Sequence, residues 1–412
     1  MKLILATSSI SYNGGGISSY GLDFLKLMSK RHECYVVSGD LINEENKYLV
    51  KESFQLPLNS FSLKDRDEFL SIIDEIKPDV IINSNFQLMA IAIPYIDINI
   101  IKISVSHFVD GILAKVAGLN YKYYTAIIAL SIEGKKFLDN FYNIKEKTKV
   151  VVIYNFFEKS KANNLKLSNK PIVITFPGGS SLHKNPILIY SLLVLLQKSN
   201  YIFKFYWLGD TKLPGNRLVP IGRIKDLIKE DKRIVFTDFI PRPEAKKIIN
   251  NTNIFLLPSN KEGCPISLLE AISSGVIPIV ADSKHASSEL ICNGKSGFVL
   301  KGKDVNPYFE LLSNIINNHE SYKEVYLNSR KLHHERLTEF EWEKQMINLF
   351  EGLPENNKIL DKKTINNRYN KDKFRFKIML TIERFGQISR SSIALLFFLG
   401  EKLKTKFNIV SN

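Results

Sequence analysis

The sequence predicts an α/β protein made of two doubly wound parallel sheets with a basic C-terminal extension, and three observations carry that prediction. Short apolar, β-branched runs alternate with longer segments of helical period from the first residues onward, the pattern of strand–helix repeats. The pattern breaks over Glu158–Lys170 (EKSKANNLKLSNK) and restarts after Pro171, as an interdomain linker does. The 412 residues also exceed one ordinary domain and provide for two real cores.

In the first half the buried runs Leu3–Thr7, Tyr35–Ser38, Val80–Asn83, Ile100–Val105, Ala126–Leu130 and Val150–Ile153 read as strands. Ile17–Ser29 reads as a helix with Ile17, Tyr20, Phe24 and Leu27 near one face, and Ser131 caps a second helix bearing Phe137, Leu138 and Phe141. In the second half the strands are Ile172–Phe176, Ile202–Trp207, Ile234–Phe236, Ile254–Leu257, Ile277–Val280 and Phe298–Leu300, with helices such as Pro186–Gln197 and Pro243–Asn250 between them. The domains fall at 1–160 and 171–339, followed by an amphipathic helix over 340–353 that Gly352-Leu353-Pro354 stops, and a tail over 354–412. Ligands of such sheets bind at the carboxyl ends of the strands, which places a site in the interdomain cleft.

Composition narrows the classes. Hydrophobic residues at 44% and charged ones at 24% are globular values. The 57 Lys/Arg against 42 Asp/Glu call for a polyanionic partner. Much of the excess is local, because Glu355–Asn412 holds 13 Lys/Arg and 5 Asp/Glu. There Lys371, Lys373, Arg375, Lys377, Arg384 and Arg390 interleave with Phe374, Ile378, Ile382 and Phe385. This basic amphipathic pattern over 371–406 suits an anionic membrane surface, and a solvated or self-docked extension is its alternative. Nucleic acid is disfavoured because no recognition module accompanies the charge. Cys34, Cys264 and Cys292 are too few for a disulfide framework. The start MKLILATSSI lacks a secretory apolar core, and no stretch has the ~18 apolar residues of a spanning helix. A cytoplasmic protein, peripheral on the cytoplasmic face of the plasma membrane through its tail, is the expectation.

The strongest chemical signal is Glu262-Gly263-Cys264-Pro265-Ile266-Ser267-Leu268-Leu269-Glu270, after the strand Ile254–Leu257. A helix starting near Pro265 presents the N–H groups of about Pro265 to Leu268 (Pro265 itself having none) and the positive end of its dipole to an anion. Glu262 and Glu270 bracket an elongated ligand with hydroxyls at both ends; an acidic cap and an ordinary Glu are the plainer alternative. Asn13-Gly14-Gly15-Gly16 opens the first helix, with backbone free to approach a ligand closely. His107 stands at a strand's carboxyl end, and Lys184 at a loop–helix junction is a compact cation suited to phosphate. His333-His334 are no metal pair, and no HExxH, CxxC, GxSxG or Walker sequence occurs, so no metal cofactor is implied.

The form E-G-x-P-x-S-x-x-E-A resembles the signature of retaining glycosyltransferases of family four, the group 1 glycosyltransferases of GT-B fold. Five further segments in family order extend the resemblance over residues 1–353: the glycine loop, SVSH, VVIYNF, GGSSLHKNP and SSELICNGKSGFVL. The resemblance implies an acceptor-side first domain and a donor-binding second domain facing across a cleft. It implies transfer of a hexosyl group with retention, from a UDP- or GDP-linked sugar to a saccharide or lipid-linked saccharide acceptor, in capsule, lipopolysaccharide or similar polysaccharide assembly. Glu270 would hold the donor ribose, Glu262 and His107 would lie by the transferred sugar, and Lys184 would take the diphosphate. Gly15, Gly16, Gly263, Pro265, Ile266, Ser267 and Leu268 would line the donor. Asp110 would orient His107 or meet the acceptor. Two departures stand out: Gly179 and Ser180 occupy the region of the family's usual Arg, for which Arg242 or Lys261 are candidate replacements, and Lys284-His285 replace a glycine-rich wall of the sugar pocket. A nucleotide-sugar epimerase of the same architecture, or a non-catalytic membrane- or polyanion-binding protein, remain as alternatives.

Overall fold

A computed structural model describes residues 1–11, 15–57, 62–144, 149–158, 171–212, 224–283, 285–301 and 304–351. The linker beyond Glu158, the helix stop at Gly352-Leu353-Pro354 and the basic segment 371–406 lie outside the described residues.

The first sheet holds β1 (Lys2–Thr7), β2 (Glu33–Ser38), β3 (Glu52–Gln55), β4 (Val80–Ser84), β5 (Ile101–Ser106), β6 (Ala126–Ala129) and β7 (Val150–Val152), in the order β3-β2-β1-β4-β5-β6-β7. The second holds β8 (Ile172–Phe176), β9 (Phe203–Trp207), β10 (Ile234–Phe236), β11 (Ile254–Leu257), β12 (Ile277–Ala281) and β13 (Phe298–Leu300), in the order β10-β9-β8-β11-β12-β13. All these pairings are parallel, and β4, β11 and β12 are buried throughout. Helices cover both faces of such sheets, so their strands read as apolar runs.

The predicted α/β class holds, and the edge strand β3 is the element the sequence did not announce. Its residues ESFQ are exposed or half-buried and carry no apolar run. They pair with β2 from Tyr35↔Glu52 to Ser38↔Gln55.

Several contacts hold the two sheets in one body. The chain returns through the helix Glu339–Glu351, which buries Trp342, Met346 and Phe350 at spacings of four, the stripe an amphipathic helix offers. The Trp342 ring meets Phe156 of the crossover at 4.6 Å and Phe24 of the first domain at 5.9 Å between centroids. His333 is fully buried with its Nε2 2.8 Å from the Phe157 carbonyl, a structural role at the crossover. Glu289 accepts from the Ile132 and Glu133 N–H groups at 2.9 and 3.0 Å and from Tyr154 Oη at 3.0 Å. A carboxylate from one domain therefore sits at the positive end of the first-domain helix Ile132–Tyr142.

Candidate active site

The site is assembled where loops at the carboxyl ends of the two sheets meet. β11 leads through Ser259 to Glu262 and into the helix Ile266–Ser273, with Pro265 as the residue before its first turn. Pro supplies no N–H and holds an extended φ of −70°, so the helix begins there. The Leu268 N–H donates to Pro265 O at 3.0 Å. This corrects the predicted donor set: Leu268 is used within the first turn, which leaves Ile266 and Ser267 as the N–H groups a helix start does not use internally.

Lys184, from the loop after β8, lies with its Nζ 2.5 Å from Glu262 Oε1, and the two side chains are 17% and 11% exposed. Burial alone would raise the Glu262 carboxyl; the Lys184 ammonium outweighs it and holds the group below its ordinary value. A cation and a carboxylate in this position form a charged pair that a phosphate can divide.

Glu270 is 4% exposed, one helix face further in. Its Oε1 accepts from Arg242 Nε at 3.2 Å, and the same guanidinium donates through both terminal nitrogens to Asp23 of the first domain at 3.1 and 2.9 Å. Burial pushes Glu270 above the usual carboxylate range, with Arg242 opposing it. Against this pair lies a cavity of about 250 Å³ lined by residues that include Asp23, Lys26, Phe157, Arg242 and Lys246.

Across the cleft His107 follows β5. Its Nε2 is 2.9 Å from Ser84 Oγ at the end of β4, and its ring meets Tyr20 edge-on at 4.9 Å. Burial lowers its pKa to about 4, so the imidazole is neutral near pH 7. Asp110 does not orient it: both Asp110 oxygens accept from Lys261 Nζ at 2.6 Å, a pair that bridges the domains. This corrects the predicted His107–Asp110 partnership. Gly263 packs against the His107 backbone so closely that a Cβ there would stand 2.1 Å from His107 O. The Asn155 amide of the crossover donates to Cys264 O at 2.6 Å and fixes the same loop.

Gly15 and Gly16 open the helix Gly15–Met28 and are exposed, with nothing within 4 Å of a Cβ added at either; Asn13 and Gly14 lie outside the described residues. Gly15 has φ +70°, which glycine adopts without cost.

Neither candidate replacement for the family's Arg is unengaged, since Arg242 is held by Asp23 and Glu270 and Lys261 by Asp110. Gly179 has φ +53° and donates to Leu208 O at 3.0 Å. His285 is fully buried, 2.6 Å from Ser283 Oγ, and accepts from the Ser287 N–H at 3.2 Å. It therefore braces the loop rather than facing a ligand, which corrects the predicted sugar wall; Lys284 lies outside the described residues. Asp23 was missed altogether, for a lone acid in an amphipathic helix carries no signal. Among the described residues no three His, Cys, Asp or Glu side chains are grouped to hold a metal ion, and no helix is long and apolar enough to cross a membrane.

Residues 156–332 match the family Glycosyl transferases group 1. The chain is 25% identical over 282 residues to an uncharacterised glycosyltransferase of Methanocaldococcus jannaschii, across 61% of this chain and 66% of that one. It is 25% identical over 154 residues to the UDP-Gal:alpha-D-GlcNAc-diphosphoundecaprenol alpha-1,3-galactosyltransferase of Escherichia coli, across 37% and 38% of the two chains. The matches thus span less than two thirds of these relatives' own lengths. In three dimensions the chain resembles HepE of Anabaena, solved with UDP-glucose, at a TM-score of 0.67 and 16% identity over 86% of this chain and 100% of that one. Residues 156–332 thus match an enzyme family, the group 1 glycosyl transferases, and the chain as a whole has the GT-B fold of its structural neighbours.

Proposed function

We propose that the protein moves a hexosyl group from a nucleoside diphosphate sugar, UDP- or GDP-linked, to a hydroxyl of a saccharide or lipid-linked saccharide, with retention at the anomeric carbon. The carrying observation is the Lys184–Glu262 pair at 2.5 Å, set before the helix start at Ile266 with buried Glu270 behind it.

In this reading Glu270 holds the donor ribose hydroxyls through the oxygen that Arg242 leaves open. The donor diphosphate draws Lys184 away from Glu262 and rests against the Ile266 and Ser267 N–H groups. The bond between the anomeric carbon and the phosphate oxygen breaks with its electrons passing to the leaving diphosphate, whose charge Lys184 and the helix dipole offset. The acceptor hydroxyl attacks from the same face and gives its proton to the departing phosphate oxygen. Glu262, released from Lys184, faces the positive charge that develops on the sugar. His107, neutral because burial lowers its pKa to about 4, contributes a hydrogen bond rather than a charge. No step calls for a metal.

The acceptor reading is supported by the diphosphoundecaprenol acceptor in the name of the Escherichia coli relative, and by the basic segment 371–406, which suits attachment to an anionic membrane surface. Cell-surface polysaccharide assembly follows as the setting.

A panel of UDP- and GDP-sugars scored by thermal shift, with Glu270→Ala as control, tests the donor site. One donor should stabilise the wild type and not the variant. Nucleotide release that requires a saccharide acceptor then supports transfer; sugar conversion without an acceptor would replace this reading by epimerisation. Absence of both, with retained binding to anionic vesicles, would leave a non-catalytic membrane protein.

A further inference from the structure

Among the described residues, the Asp23–Arg242–Glu270 chain is the ionic contact that joins the first domain directly to a carboxylate of the expected donor site. Asp23 belongs to the helix Gly15–Met28 and Glu270 to the helix Ile266–Ser273. Arg242 opens the helix Arg242–Asn250 between them. The guanidinium spends both terminal nitrogens on Asp23, in a two-pronged fork at 3.1 and 2.9 Å, and its Nε on Glu270 Oε1 at 3.2 Å. A planar fork fixed at one end fixes the direction of its Nε at the other. With Asp23 in place, Glu270 is held by one oxygen, so the second is turned to a fixed direction. If the domains part, the fork loses its anchor, and the side chain regains the rotamers that Asp23 removes.

We propose that Asp23 and Arg242 are positioning residues that couple domain closure to the aim of Glu270, so that ribose binding tightens when the first domain docks. The inference rests on the reading of Glu270 as the donor-hydroxyl ligand. It assigns Asp23 an effect on donor affinity even though its carboxylate is engaged with the guanidinium, and it makes that effect conditional on Glu270.

The test is calorimetric titration of the full chain with UDP and GDP, for wild type, Asp23→Asn, Arg242→Lys, Glu270→Gln and the double variant Asp23→Asn/Glu270→Gln. Asp23→Asn keeps the shape and removes the charge, and should weaken the nucleotide that wild type binds about tenfold, the effect of losing one charge-assisted hydrogen bond. Arg242→Lys keeps the charge and removes the fork, and should weaken it similarly, which gives a second route if the Asn variant folds poorly. The double variant should bind as Glu270→Gln alone, because the relay acts only through Glu270. Wild-type affinity in Asp23→Asn and Arg242→Lys, or losses that add in the double variant, would overturn the relay while leaving Glu270 as the ribose ligand. Unchanged affinity in Glu270→Gln would remove both.

Discussion

Two helix starts open onto the same cleft, and they are built in opposite ways. At Gly15 and Gly16 the first domain leaves exposed backbone with nothing within 4 Å of an added Cβ. At Gly263 the second domain leaves no room, since a Cβ would stand 2.1 Å from His107 O. Charge follows the same division. Lys184, Glu262, Glu270 and Arg242 gather around the second helix start in ion pairs, whereas the first domain offers a neutral histidine and two aspartates that reach across to Arg242 and Lys261. The difference teaches that charge is fixed in advance on the second side, whereas the first leaves Gly15 and Gly16 accessible; on the proposed function the donor would take the former and the acceptor the latter.

The largest expected effect comes from Glu262→Ala. Turnover should fall about 10²–10³-fold, the usual cost of removing a group aimed at developing charge, while donor affinity holds or rises because Lys184 is set free. Equal losses in turnover and affinity would show that Glu262 only braces the loop. Gly263→Ala should come next, with turnover at least about tenfold lower and a more open envelope in small-angle scattering, because overpacking here sets one domain against the other. An unchanged envelope would mean that the contact yields locally.

The buried imidazole makes a pH prediction. Its folded pKa of about 4 lies below the ordinary ~6.5, so unfolding takes up a proton in that window. Stability should therefore decline as pH falls from about 6.5 to about 4, and His107→Gln should flatten that part of the melting-temperature profile. Asp110→Asn should matter less: its pair with Lys261 is about 40% exposed, and such pairs contribute at most about 1 kcal/mol. Smallest is Gly16→Ala, which should raise stability by about 0.4–1 kcal/mol through the unfolded chain. At Gly15, whose φ is +70°, the same change should destabilise. Comparable melting points for the two alanine variants would erase the contrast between the helix starts.

Much of this architecture was legible in the residues. Val80–Asn83 reads as a strand because both faces of β4 are buried, so it opens on the apolar run Val80–Ile82. Ser131 reads as a cap because its Oγ takes the Gly134 N–H at 2.9 Å, a bond set by neighbours three apart. β3 escaped because an edge strand is stabilised by its ladder to β2 rather than by burial. The spacing of Glu262 and Glu270 was visible as a helix-start pattern, yet their partners were not equally so. Lys184 was found through the resemblance of its loop. Asp23 was not, because its meeting with Arg242 spans 219 positions and neither residue is unusual where it stands.

The sequence by itself determined the strand–helix alternation, the two sheets and the helix start at Pro265 with its two flanking glutamates, because each depends on residues near one another in the chain. Only the tertiary structure decided that Asp110 meets Lys261 instead of His107, that His285 is a buried brace, and that Arg242 joins Asp23 to Glu270. Those are contacts between elements brought together by docking of the domains. Their distances depend on how whole helices and sheets pack, and no local pattern encodes that.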